Sequence, residues 1–498
     1  MQRVELEDPS GPPPDAPTDV PDGGDPPARG RRRTRARVAA GAALVVAGLV
    51  AAQAVLDARE RAAVEALQQV AGVVAPVGDE LDEAWSATLG AGMLVVDGRL
   101  VVLGVTDGSP RLTARSPDDG TVVWSAPLDV PREAAEGGLP GAACQPARTS
   151  AWGPLVVCLE TDALQTWTDE GDTTVTPATR ARVVVRAAAD GTELLRRDVD
   201  LAVQGALVLD DVLVTVQGGE GTAVVRGHRL ADVEAETDAA AWRTAWERTL
   251  RADDEPEGAS GPFGLSSVGG VVLVTTSLGP QVGALTADGD LLPGTYDGGY
   301  AGEGEVLGLM TTTGTTLRST IVRDGEAVVT VDGMPMLGSV DDGSLGDVVL
   351  TDHRTLTLWS VATGEAVWSA PDSVLGESPP GYGAPSVLGA MVVRGTVYAW
   401  GGDDVLALDG RDGTLRWSRE SAGSDVFAVA TDGRRLLVVS AVDDSAGGWM
   451  RVDALGFDGE DQGRVGLPRG IDWVLAYEGR LWGVRAPDPG TRELVALR

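Results

Sequence analysis

Chemistry needs side chains that move protons or electrons or bind metals, and this 498-residue chain is poorly supplied with them. It has two cysteines, Cys144 and Cys158, and two histidines, His228 and His353. Lysine and asparagine are absent, so all 40 Lys/Arg positions are arginine. That excludes Schiff-base lysines, the lysine of a phosphate-binding loop and asparagine metal ligands. Two histidines far apart do not make a His-rich metal centre, and each reads as a surface or satisfied core residue. No Gly-x-Ser-x-Gly elbow and no Gly-x-x-x-x-Gly-Lys loop occurs. The run Asp341-Asp342-Gly343-Ser344 has calcium-loop composition, but a turn at a strand end explains it with fewer assumptions. Carboxylate pairs for glycoside hydrolysis stay open, since distant segments can supply the two groups. The expectation is therefore no catalytic residue, no metal ligand and no cofactor.

The elements that would position any site begin with a membrane segment. Residues 1–28 are rich in Pro, Gly and Asp and hold almost no large apolar groups, which predicts a disordered tail. A basic cluster, RGRRRTRAR at 29–37, follows, and then 38–56 (VAAGAALVVAGLVAAQAVL) carries no charge. A helix of that length spans about 28 Å, close to the hydrocarbon core of a bilayer. Residues 1–37 as a whole are expected to form a disordered cytoplasmic tail, and the basic flank predicts export of everything after 56. A cleavable signal peptide, with a site at Ala52-Gln53-Ala54, is the competing reading; 37 polar residues ahead of the apolar run favour a retained anchor. Thr18 and Thr34 on the tail are phosphorylatable. Residues 57–83 read as a helical stalk, with Val64, Leu67, Ala71 and Val74 on one face and Pro76 ending the pattern.

The formal net charge is −34, and residues 1–37 contribute nothing to it, with seven arginines against seven acids. The acidic excess lies beyond the apolar segment and argues against nucleic-acid partners. On the exported side, Cys144 and Cys158 are expected to form a disulfide that pins the insertion between the first two repeats; two buried free thiols are the alternative.

From Trp85 onward the period changes to short apolar or alternating runs separated by turns, such as Met93–Val96 and Leu100–Leu103 around Asp97-Gly98. One element recurs in register. Residues 112–124 read LTARSPDDGTVVW, 356–368 read LTLWSVATGEAVW and 405–417 read VLALDGRDGTLRW. In each, a strand meets a turn glycine and a tryptophan follows four residues later: Gly120 to Trp124, Gly364 to Trp368, Gly413 to Trp417. A degenerate copy at 183–195 has Leu195 in the tryptophan place. Trp124, Trp368 and Trp417 are thus candidates for docking one repeat onto the next.

These units resemble the pyrroloquinoline-quinone-like β-propeller family, whose repeat ends in a similar Ala-x-Asp-x-x-Thr-Gly-x-x-x-Trp motif; Ala407 to Trp417 is the best match. The resemblance covers most of 85–498, with 205–340 divergent and inserted at 231–247. It implies an all-β fold: a β-propeller of about eight four-stranded blades over 84–498, with seven and nine also compatible, preceded by one transmembrane helix. Residues 84–89 look like a blade-ending strand with no blade before it, and are expected to pair with the C-terminus and close the ring.

Part of that family are quinoprotein dehydrogenases, which hold calcium-bound quinone through Asn and acidic ligands beside a vicinal disulfide. This chain has no Asn, no adjacent cysteines and no Cys-x-x-Cys-His site. The resulting expectation is a non-enzymatic interaction scaffold in the cell envelope, binding envelope proteins of unstated identity. The alternative is a ligand-binding or degenerate quinoprotein enzyme that uses the central channel.

Overall fold

The computed structural model describes residues 29–90, 92–131, 142–167, 173–219, 221–235, 242–251, 263–276, 281–292, 299–301, 306–313, 316–336, 338–352, 355–370, 388–421, 425–441, 450–488 and 491–498, with the main chain alone for 29–47, 142, 164–167, 173–175, 234–235, 281, 299–301, 306–307, 310–313, 316, 488 and 491. Residue contacts divide the chain into two units, Met1–Ala63 and Val64–Arg498.

The first unit contains most of helix α1 (Arg29–Leu67). The helix takes in the basic cluster 29–37, which the sequence reading placed in a disordered tail; arginine and alanine both favour the helical state. Residues 1–28 of that tail lie outside the described residues. Among the described residues no helix is long and apolar enough to cross a membrane. Positions 38–47 of the expected span fall where side chains are not described.

Helix α1 stops at Leu67 instead of continuing to Ala75 as the expected stalk would. Its last turn tightens, with Gln69 N–H donating to Ala66 O at 3.2 Å and Val70 N–H to Leu67 O at 2.9 Å. Gly72 then takes a positive φ of 83°. Burial explains the early stop. Leu67, Val73, Val74 and Leu81 are all buried in the core of the second unit, and a straight helix could not deliver all four. This segment is an anchored strap along the second unit.

The second unit is built from antiparallel sheets. Among the described residues, nine sheets have three to five strands and one has two. In chain order, sheet 1 covers 92–127, sheet 2 142–198, sheet 3 203–251, sheet 4 263–286, sheet 5 299–332, sheet 6 334–369, sheet 7 389–420, sheet 8 426–465 and sheet 9 473–497. The extra two-stranded hairpin, Leu164–Trp167 with Thr173–Thr176, rises from sheet 2. A short helix α2 (Leu230–Ala235) interrupts sheet 3 before its fourth strand. Sheet 7 gains a fifth strand, Gly338–Asp341, running parallel to Gly389–Val393.

Sheet 9 takes its fourth strand from the other end of the chain. Glu83–Leu89 pairs antiparallel with Thr491–Leu497, from Glu83 opposite Leu497 to Leu89 opposite Arg492. The expected closure by 84–89 is therefore present, and Thr491–Leu497 is paired along both of its edges. Apolar clusters continue from sheet to sheet: Trp124 with Val156, Leu159 with Leu213, Val216 with Leu265, Leu273 with Leu309, Trp368 with Val397, Trp400 with Val429, Val439 with Val474, and Leu494 with Leu100. That sequence returns to its start, so the sheets close on one another as a propeller does. Among the described residues, only sheets 5 and 6 share no such cluster. There Gly308 abuts Pro335, beside a cavity of about 160 Å³ lined by Ile321, Val348, Leu358 and Val392.

First strands touch first strands: those of sheets 1 to 4 in succession, and those of sheets 7, 8 and 9. They therefore line the axis, and fourth strands form the outside. First-to-second and third-to-fourth connections leave on one side, the turn face. Second-to-third and sheet-to-sheet connections leave on the other, the loop face. Of the separations between successive strands of the larger sheets that join ends on one face, the five widest divide unevenly. Pro127 to Ala142, Thr161 to Ala181, Ser369 to Gly389 and Arg251 to Phe263 join strand ends on the loop face, whereas Arg229 to Thr244, with helix α2, joins strand ends on the turn face.

Candidate functional site

The repeat tryptophans are docking residues. Trp368 lies against Gly413 of the next sheet, so closely that a Cβ on that glycine would sit 2.6 Å from the ring. Its indole N–H donates to Gly410 O at 3.0 Å. Trp124 meets Gly191 and donates to Ala188 O at 2.8 Å, and Trp417 meets Gly459 and donates to Phe457 O at 3.1 Å. All three expected residues thus join one sheet to the next. Sequence reasoning missed two more. Trp85 meets Gly120 and donates to Pro117 O, and Trp246 meets Gly289 and donates to Ala287 O. Val329 fills the same place against Gly364. The receiving turn explains the small variation. Where it spans Ser116 to Thr121 the acceptor lies three residues before the glycine; where it is one residue shorter, as from Gly456 to Glu460, the acceptor lies two before.

Cys144 and Cys158 form a disulfide. They sit directly opposite each other on the first two strands of sheet 2. The bond therefore staples neighbouring strands within a sheet, and the inserted residues 132–141 precede it rather than lie inside its loop. Two residues on, the same face carries Glu160, fully buried with Oε1 unpartnered. Burial pushes its carboxyl above the usual range, against the pull of Arg196 3.6 Å away. Nearby, Asp129 receives Arg180 at 2.5 Å and Arg182 at 2.6 Å. This network fastens the end of sheet 1 to sheet 2.

The metal candidates resolve into structure. His228 is buried against Trp242, ring centroids 5.4 Å apart, and burial lowers its pKa. His353 lies outside the described residues, as does Thr18. The acidic run is a turn: Asp341 Oδ1 accepts Gly343 N–H and Asp342 Oδ1 accepts Ser344 N–H. Asp342 and Ser344 also accept the N–H groups of Arg394 and Gly395, locking this turn to sheet 7. Among the described residues no group of three or more His, Cys, Asp or Glu could hold a metal ion.

The strap after α1 fixes the turn face. Val74 N–H donates to Thr431 O and Ala75 N–H to Gly479 O, both in first-to-second turns of sheets 8 and 9. Asp432, 1% exposed, accepts Val77 N–H, and Arg435 donates to Val77 O and Gly78 O at 2.8 Å. At the loop-face end of the axis lies a feature no spacing announced. Phe427 and Trp473, on the first strands of sheets 8 and 9, pair with ring centroids 5.1 Å apart and stay open to solvent.

Residues 302–463 match the family model PQQ_2, described as outer membrane protein assembly factor BamB. That segment is PQQ-like repeat sequence. The matched segment holds the Trp368 and Trp417 repeats, and no curated protein matches the chain. Solved structures similar to this chain include BamB from Moraxella catarrhalis, at 14% identity and TM-score 0.38, covering 84% of this chain and 99% of that one. A europium-containing methanol dehydrogenase aligns at 11% identity and TM-score 0.36, covering 84% and 93%. The computationally designed Ika8 protein aligns at 13% identity and TM-score 0.33, covering 77% and 99%. Likenesses at this level do not bear on function.

Proposed function

We propose that this chain is a membrane-tethered scaffold whose propeller presents its loop face to protein partners in the cell envelope, without catalysis of its own. Each of the nine larger sheets is read as one blade. The observation that carries the reading is an asymmetry. The strap from α1 occupies the turn face beneath sheets 8 and 9, and four of the five widest same-face separations between strands join ends on the opposite face. Tethered through 38–56 with the N-terminus inside, the chain would offer that loop face away from the strap. The family model matched over 302–463 describes an assembly factor, which agrees with a role in holding other proteins. The residues available for chemistry also support it, because the disulfide, His228 and the acidic turn are each absorbed by local structure.

Photo-crosslinking of the full-length protein in its native membrane, followed by mass spectrometry, tests this. Amine-reactive reagents have no lysine to attack. A reproducible set of envelope proteins linked at loop-face positions supports the scaffold. A set of random neighbours, or protein recovered in the soluble fraction with 38–56 intact, removes it.

A further inference from the structure

Among tryptophans with described side chains, Trp473 stands apart. Trp85, Trp124, Trp246, Trp359, Trp368, Trp417 and Trp482 each donate the indole N–H to an oxygen. Trp242 and Trp400 are buried in the core with the indole N–H unpartnered, and Trp152 is partly buried against the apolar cluster of sheets 2 and 3. Trp473 makes no indole hydrogen bond among the described residues and is 42% exposed. Its one aromatic neighbour, Phe427, is 38% exposed, with the rings tilted by 59°.

Phe427 is placed there by a break in register. Val426 pairs with Ser440 and Ala428 with Val439, so Phe427 is the extra residue of a β-bulge. Bulges re-aim side chains and recur beside functional sites. Sheet 3 has the same break, between Val203 and Gly205, leaving Gln204 as the extra residue. Gln204 there accepts the N–H of Phe263, which opens the first strand of sheet 4 and is 4% exposed. Trp473 opens the first strand of sheet 9 just as Phe263 opens that of sheet 4. The fold can bury an aromatic at this position. Between sheets 8 and 9 it leaves two open.

The surroundings are acidic. Asp425 lies two residues before Phe427, and Asp472 directly precedes Trp473. Val426 N–H bonds Gly402 O, which brings the Asp403-Asp404 turn alongside. Of the neighbouring arginines, Arg451 pairs with Asp453 at 2.6 Å and Arg419 donates to Gly459 O at 2.9 Å, while Arg469, four residues before Trp473, is exposed. The chain's whole charge of −34 belongs to this unit, because residues 1–63 sum to zero. Aromatic faces beside carboxylates attract cations and disfavour anions.

We propose that Phe427 and Trp473 form an aromatic platform at the loop-face mouth of the axis that receives an arginine or lysine side chain of a protein partner. This rests on the scaffold reading and deepens it by naming a contact. The test uses the full-length chain in nanodiscs and a fluorescein-labelled hexa-arginine peptide, read by anisotropy at about 0.15 M salt. Saturable one-to-one binding is expected. Trp473→Ala and Phe427→Ala should each weaken it about tenfold, and Trp473→Phe, which keeps an aromatic face, about two- to threefold. The denaturation midpoint should hold in all three, since both rings are open. Unchanged affinity in Trp473→Ala overturns the proposal, the attraction then being that of the overall charge. Stoichiometric binding of pyrroloquinoline quinone that Trp473→Ala abolishes also overturns it. If native crosslinking finds envelope partners and the arginine titration ignores Trp473, the scaffold stands and this inference falls. If crosslinking finds none, the scaffold falls, and the titration still decides the platform.

Discussion

Trp368 and Gly413, 45 residues apart, are packed so tightly that only a residue without a Cβ fits opposite the indole. Gly413 also needs its left-handed backbone, at φ 72°, to turn the chain under the ring. One contact thus uses both properties of glycine, and that is why the Gly-x-x-x-Trp pattern recurs: the glycine receives one tryptophan and starts the strand that carries the next.

Gly413→Ala should therefore destabilise the propeller by about 2 kcal/mol or more, from the clash and the positive φ together. Trp368→Ala should cost about 3–5 kcal/mol through the cavity it leaves. The double variant should cost clearly less than the sum, because both changes break one contact. Urea denaturation of the four proteins measures this; strict additivity would show that the indole and the glycine do not act as a unit.

The disulfide staples strands already paired, and it is expected to be complete in the purified protein. Maleimide should label no thiol until denaturant and reductant are added together. Cys144→Ser with Cys158→Ser should lower stability by up to about 3 kcal/mol if loop entropy sets the effect. Labelling of both cysteines in the native, unreduced protein would contradict the bond.

His228 sets a pH window. Burial lowers its folded pKa below 6.5, whereas the unfolded chain titrates near 6.5. As the pH falls below 6.5 the unfolded state takes up the proton first, so stability is lost with falling pH. Glu160 acts in the opposite sense: its raised folded pKa means stability is lost as pH rises from its unfolded value. Relative to the parent chain, His228→Gln should therefore lose less melting temperature as the pH falls from 6.5 towards about 5, since the contribution of Glu160 is common to both. An equal slope in the variant would assign the effect elsewhere.

Much of the fold was legible because it is written locally. The copies ending in Trp124, Trp368 and Trp417 carry their own turn glycine four residues earlier, so spacing alone finds them. Trp85 escaped because its strand has no turn before it: the preceding strand, Thr491–Leu497, is the last in the chain. Trp246 escaped because helix α2 and its flanks replace the turn glycine. Val329 does sit four residues after Gly325, but valine carries no docking signal. The helix end at Leu67 depends on burial against sheets 7, 8 and 9, far away in the chain, which the apolar spacing of 64–74 could not report. The Phe427–Trp473 pair was invisible for the same reason, since a register break and a neighbouring sheet create it.

Ring closure by the strand Glu83–Leu89 gives the last prediction. That strand supplies seven residues to sheet 9 and brings Trp85 onto Gly120 of sheet 1, edge-to-face with Trp482 at 5.7 Å. Without it, Thr491–Leu497 becomes an open, largely apolar edge, and sheet 1 loses its docking partner. A chain beginning at residue 64 should fold and stay monomeric, because it keeps the strap and the closing strand. One beginning at residue 90 should aggregate or melt far lower. Adding a peptide spanning 79–90 in trans should recover part of the loss, since its partners are preformed in sheets 1 and 9. Size-exclusion chromatography and thermal melts of the two chains decide it: equal behaviour would mean that the ring holds closed through the apolar contacts of sheets 9 and 1 alone, with no need of the N-terminal strand.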